Sequence, residues 1–266
     1  MEPGAAVSTA TQIARSVRPG PVFLGVVAVT VAGGVVLANS DPGRNATSIV
    51  GALMLVVGGW VVSLCLHEFG HAVTAFAFGD ANAELRGYLT LDPRKYAHPG
   101  LSITLPLVII LLGGIGFPGG AVYVNTAAMS RVQRTIVSLA GPAANVVIAV
   151  ILLAVLRTRL DSIDFATINL WSALAMLAFL QITAAVLNLL PVPGLDGYGA
   201  VEPYLSPQTR RSMAQVGQYG FLIVFVLLLL PPVNRAFFDV IYWFFDRSGV
   251  PSTLASLGYQ LVVFWR

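Results

Sequence analysis

The sequence predicts an all-α, polytopic membrane protein, and three observations carry that prediction. Of the 266 residues, 56% are hydrophobic and only 10% are charged, against about 25% for an ordinary soluble domain. The mean hydropathy is +0.81. A soluble fold of this size needs a polar surface that these residues cannot make, and a bilayer removes the need. The apolar residues are also gathered into runs long enough to cross the hydrocarbon layer, so about six transmembrane helices are expected.

Residues 1–20 are polar and are read as a cytoplasmic N-terminal segment, with 21–266 as a single membrane-embedded domain. The first apolar run is Pro21 to Ala38. Ala38-Asn39-Ser40 loosely resembles a signal-peptidase site, but the run exceeds a usual signal h-region, so a retained span is expected. Asp41-Pro42-Gly43-Arg44-Asn45 is a turn, and the sequon Asn45-Ala46-Thr47 carries no weight. A second apolar run reaches from about Ile49 to Phe78. At about 1.5 Å per residue it is longer than the hydrocarbon core requires, so its end projects beyond that layer or tilts.

Residues 79–100 are polar by the standards of this chain, and the weak alternation over 85–91 suggests a short strand. Leu101 to Phe117 is apolar but interrupted by Pro106, Gly113, Gly114 and Gly116. That composition suits a re-entrant or broken segment near 101–117, buried in protein. Further spans are expected at 135–156, 167–190 and 218–238. Residues 240–265 are apolar and aromatic, and hold either a short span or an interfacial helix. There is no internal repeat.

The basic residues orient the chain. Arg15 and Arg18 put the N-terminus in the cytoplasm, and the second span then returns to that side, where Arg86, Arg94 and Lys95 follow. Residues 191–217 come back to the same side, although Arg157 and Arg159 fall on the opposite one. The net charge of +3 is spread over short loops without a basic stripe, so nucleic acid is not an expected partner. The single cysteine, Cys65, excludes an internal disulfide and reads as a packed thiol. These features fit a multi-pass protein of a bacterial plasma membrane.

The chemistry is concentrated in His67-Glu68-Phe69-Gly70-His71, an HExxH sequence inside the second span. On a helix, positions i and i+4 share a face, so both imidazoles can reach one metal ion. Glu68 is turned by about 100° around the helix axis, beside such a metal, where it can take a proton from the attacking water. Zinc suits these ligand types and lowers the pKa of bound water to near 7. Chance placement of three histidines and four glutamates would produce HExxH in about one such chain in two thousand. Two histidines and a carboxylate in an apolar helix are also costly, which by default marks function over a metal-free polar cluster.

Two histidines and water leave a zinc site one protein ligand short. A metzincin-type third histidine would fall at Ala77, so that extension fails. The candidates are His98 and Asp196. Asp196 is preferred because it follows the 167–190 span on the side where HExxH lies, within Asn188-Leu189-Leu190-Pro191-Val192-Pro193-Gly194-Leu195-Asp196-Gly197. Taken alone, its Asp-Gly pair would read as a turn.

HExxH in one span and NxxPxPxxDG at the end of a later one resemble the site-2 protease family of intramembrane zinc metalloproteases. The similarity covers about residues 49–200, the expected catalytic core, and omits the PDZ or CBS domains of many relatives. It implies one Zn²⁺ held by His67, His71 and Asp196, with Glu68 as catalytic base. It also implies substrates that are transmembrane segments of partner proteins, cut near the cytoplasmic face. Ala140-Gly141-Pro142-Ala143-Ala144-Asn145 matches a third family feature. The resemblance gives Asn145, and more weakly Asn188, a part in positioning substrate or stabilising the oxyanion. An in-membrane amide could equally bridge helices. Gly113, Gly114 and Gly116 are candidates for a hinge or gate. A metal transporter would show polar residues along several spans and usually a repeat. An inactive scaffold would have lost the base or a ligand.

Overall fold

Caps and prolines decide where each apolar run starts and stops. In the computed structural model, which describes residues 9–96, 124–217 and 219–265, a short helix α1 (Thr9–Ser16) precedes α2 (Pro21–Ala38). α2 has the predicted bounds: Pro21 suits the first helical position, and the polar Asn39-Ser40-Asp41 stretch ends it. α3 (Ala46–Ala77) runs for 32 residues. It begins three residues earlier than the apolar run, because Asn45 and Ser48 form a reciprocal capping box.

After α3 come α4 (Asn82–Leu85), a 3₁₀ turn (Tyr88–Thr90) and α5 (Pro93–Tyr96). The strand expected over 85–91 is therefore corrected to helical turns, and no strand occurs among the described residues. Gly87 (φ 73°) and Leu91 (φ 56°) flank the 3₁₀ turn in the left-handed region, which breaks any extended run. Alternation reflected packing instead: Tyr88, Leu89 and Leu91 are buried in a cluster with Cys65 and Ala72 of α3, while Leu85 points out. Asp92 beside the Arg94 guanidinium has its carboxyl held below the usual range. Residues 97–123 lie outside the described residues, and with them His98, the re-entrant segment expected near 101–117, and Gly113, Gly114 and Gly116.

α6 (Arg131–Arg159) is extended at its start by a second capping box, Ser130 with Gln133. A 3₁₀ turn (Leu160–Ser162) leads to α7 (Ile168–Asn188). Then follow α8 (Asp196–Val201), a 3₁₀ turn (Glu202–Tyr204), α9 (Pro207–Gly217), α10 (Gly220–Leu228), α11 (Pro231–Arg247) and α12 (Ser252–Val262). The span expected at 218–238 is not one helix. Leu230 is extended, and Pro231 and Pro232 restart the chain as α11. Residues 240–265 divide between α11 and α12 and form no continuous span.

Among the described residues four helices are long and apolar enough to cross a membrane: α2, α3, α6 with its following turn, and α7. A fifth results if α9 and α10 are one broken span, against about six expected. α7 is the most enclosed of the four and packs against α3, α6 and α12. Outer faces carry exposed valines and isoleucines, such as Val31 and Val35 of α2 and Val150 and Ile151 of α6, as lipid-facing helices do.

Candidate metal centre

HExxH lies in the C-terminal half of α3, which places His67 and His71 one turn apart on one face. Both imidazoles and Glu68 are buried. The ring centroids are 4.8 Å apart. A third side chain is brought to them from far along the chain. Pro191 and Pro193 stop α7 from continuing, and Gly194 turns the backbone at φ 97°, a conformation open mainly to glycine. Gly197 then lies tight against the Leu190 carbonyl, where an added Cβ would stand at 2.6 Å. Asp196, the first residue of α8, is thereby folded back onto α3.

His67 Nε2 lies 3.2 Å from Asp196 Oδ2, and His71 Nε2 lies 3.3 Å from Oδ1. The two Nε2 atoms are 3.2 Å apart. The far side of each ring is already committed. His71 Nδ1 donates to the Val137 carbonyl at 2.7 Å, and His67 Nδ1 donates to Asn145 Oδ1 at 2.6 Å. With the ring protons on Nδ1, both Nε2 atoms present lone pairs to each other and to a carboxylate. Asp196 Oδ2 is buried without a hydrogen-bond partner. Converging lone pairs with no donor between them would repel in a dry site, and a cation relieves that. The one group of three or more His, Cys, Asp or Glu side chains suited to a metal among the described residues is this one, with ligand atoms within 4.8 Å of one another. Two nitrogens and a carboxylate suit zinc.

Gly141 of α6 faces the same point. An added Cβ would sit 2.6 Å from His67 Nε2 and closer still to His71 Nε2. Gly70 lets α3 approach the α6 backbone, since its Cβ would meet the Ala140 carbonyl at 2.7 Å. Gly141→Ala is therefore expected to spread the imidazoles and to destabilise the fold by about 1–3 kcal/mol. A lowered thermal unfolding midpoint would register this, and an unchanged midpoint with unchanged metal content would contradict it.

Of the residues singled out in the sequence, His67, His71 and Asp196 converge, Glu68 is buried beside them on α3, and Asn145 touches His67. Asn188 is the half-buried last residue of α7 and is outside this hydrogen-bonded group. Sequence reasoning missed Gln181 and Ser63, both buried. Asn145 Nδ2 donates to Gln181 Oε1 (2.9 Å), and Gln181 Nε2 donates to Ser63 Oγ (2.9 Å). The available signal was the cost of a glutamine in the middle of an apolar span.

Comparison with known proteins bears on this arrangement. A family model described as peptidase family M50 matches residues 52–163. A protein of Mycolicibacterium smegmatis named as the zinc metalloprotease Rip2 is 59% identical over 251 residues, covering 94% of this chain and 96% of the relative. The Rip2 protein of Mycobacterium tuberculosis H37Rv is 52% identical with the same coverage. YwhC of Bacillus subtilis, also named as a zinc metalloprotease, is 33% identical over 187 residues, 64% of this chain and 78% of the relative. No solved structure matches the chain.

Proposed function

The chain belongs to peptidase family M50, the site-2 proteases, and from that premise we propose that it cleaves transmembrane segments of partner membrane proteins. It is a zinc-dependent protease with a multi-pass, all-α membrane fold. In our reading His67, His71 and Asp196 hold one zinc ion per chain, within a catalytic core of about residues 49–200. The observation that supports this most is the convergence of two buried imidazole Nε2 atoms with an orphaned carboxylate oxygen. Bound zinc would supply a Lewis acid that polarises the substrate carbonyl and acidifies water.

The protein's own residues do the rest. Val137 O and Asn145 Oδ1 hold the ring protons on Nδ1 and keep both Nε2 atoms basic. The Glu68 carboxylate takes a proton from the attacking water and delivers it to the amide nitrogen as the C–N bond breaks. Burial keeps bulk water away from these charges, which strengthens their interactions. A transmembrane substrate must unwind locally, because its carbonyls are already bonded within the helix. Gly or Pro near the scissile bond eases this. Asn188, in the motif that leads to Asp196, is in this reading a second, weaker candidate for positioning substrate. In this reading the N-terminus and the active-site side are cytoplasmic, in a bacterial plasma membrane.

The test is reconstitution of the full chain in proteoliposomes with single-span membrane proteins. Cleavage inside the span, abolished by a zinc chelator and restored by zinc, is expected. Cleavage confined to soluble loops, or persisting after chelation, would count against the proposal.

A further inference from the structure

A buried chain of hydrogen bonds runs from the metal centre across three helices. His67 of α3 meets Asn145 of α6, Asn145 meets Gln181 of α7, Gln181 returns to Ser63 of α3, and Ser63 Oγ donates to the Trp60 carbonyl at 2.8 Å. Every side chain in it is nearly inaccessible, with Gln181 at 0% exposure. An unpaired amide in such a place is costly, so the chain is held together by all its members.

The chain has a direction. A primary amide donates only through nitrogen and accepts only through oxygen. Two arrangements therefore exist, and they exclude each other. In one, His67 Nδ1–H donates to Asn145 Oδ1, Asn145 Nδ2 donates to Gln181 Oε1, and Gln181 Nε2 donates to Ser63 Oγ. Reversing both amides makes Asn145 Nδ2 donate to His67 Nδ1, which moves the ring proton to Nε2 and removes the lone pair that faces Asp196. The end of the chain chooses between them. The Ser63 hydroxyl proton points to the Trp60 carbonyl, which leaves Ser63 Oγ as the acceptor for Gln181 and favours the first arrangement. We propose that Gln181, anchored by Ser63, is a positioning residue that fixes the Asn145 amide and thereby holds His67 in the Nδ1–H tautomer that a metal ligand requires. The inference rests on the metal-site reading above. His71 needs no such relay, since its Nδ1 partner is a backbone carbonyl.

The test uses full-length protein in detergent, with zinc affinity measured by chelator competition and the His67 tautomer read by ¹⁵N NMR of the metal-free protein. Gln181→Leu keeps the volume but removes the relay, and zinc affinity is expected to fall about tenfold or more. Its His67 is expected to populate the Nε2–H tautomer. Gln181→Glu is expected to stay near wild type. A protonated carboxyl donates to Ser63 and accepts from Asn145 as the amide does, and a carboxylate still accepts from Asn145. A residue that only fills space predicts the opposite order, with leucine tolerated and glutamate harmful. If Gln181→Leu does not fold, Ser63→Ala serves, with Ser63→Thr expected to restore affinity and tautomer. A folded Gln181→Leu or Ser63→Ala protein with wild-type affinity and tautomer would overturn the proposal. Wild-type protein that folds yet binds no zinc would sink the metal-site reading instead, and the tautomer would then decide the relay by itself.

Discussion

Glu68→Gln is expected to cut peptide-bond cleavage by about 10²–10⁴-fold, the usual contribution of a positioned general base, while zinc stays bound. Glutamine keeps the volume of glutamate and can still donate and accept hydrogen bonds, but its amide cannot hold a transferred proton. Glu68 is buried on the same helix as the two histidines, yet it is outside the three-residue group suited to a metal. Activity and metal content should therefore separate in this variant. Parallel assays of cleavage rate and bound zinc check it. Full activity would place the base elsewhere, and lost zinc would make Glu68 a ligand.

Asp196→Ala is expected to have the other large effect, on affinity. Substituting groups that merely orient ligands costs about 10–100-fold in metal affinity, so removing a ligand should cost at least about 100-fold. The loss should also remove cleavage. Asp196 reaches the imidazoles through a tight Pro-Gly turn, and no other carboxylate joins the group among the described residues. The variant should keep its fold, because alanine removes a partly buried charge from the first turn of a short helix without adding volume. Chelator competition at several pH values gives the number. Imidazole ligands must be neutral to bind, so the wild-type affinity should fall as pH falls. An Asp196→Ala affinity close to wild type would exclude Asp196 as a ligand.

Much of this site was legible in the sequence because its chemistry is local. HExxH fixes two imidazoles by helix geometry alone, and the Pro-Gly pattern before Asp196 marks a forced break. The spans starting at Pro21 and near residue 167 were readable because polar or proline boundaries coincide with the ends of α2 and α7. Other features are set by partners distant in sequence. Alternation over 85–91 looked like a strand, but it arose from 3₁₀ turns packing one side onto α3. The apolar run across 218–238 hid a helix break that Pro231 and Pro232 could have announced. Gln181 and Ser63 are separated by 118 positions. Only the fold reveals that each satisfies the other, and that Gly141 is small because two imidazoles face it.

The proposed function stands on one zinc ion held between His67, His71 and Asp196. X-ray absorption at the zinc edge of the purified full-length chain, with metal content measured alongside, tests it most directly. About one zinc per chain is expected, with two imidazole nitrogens and oxygen ligands at about 2.0–2.2 Å and no sulfur. Folded protein without zinc, a single imidazole, or a sulfur ligand from Cys65 would contradict it.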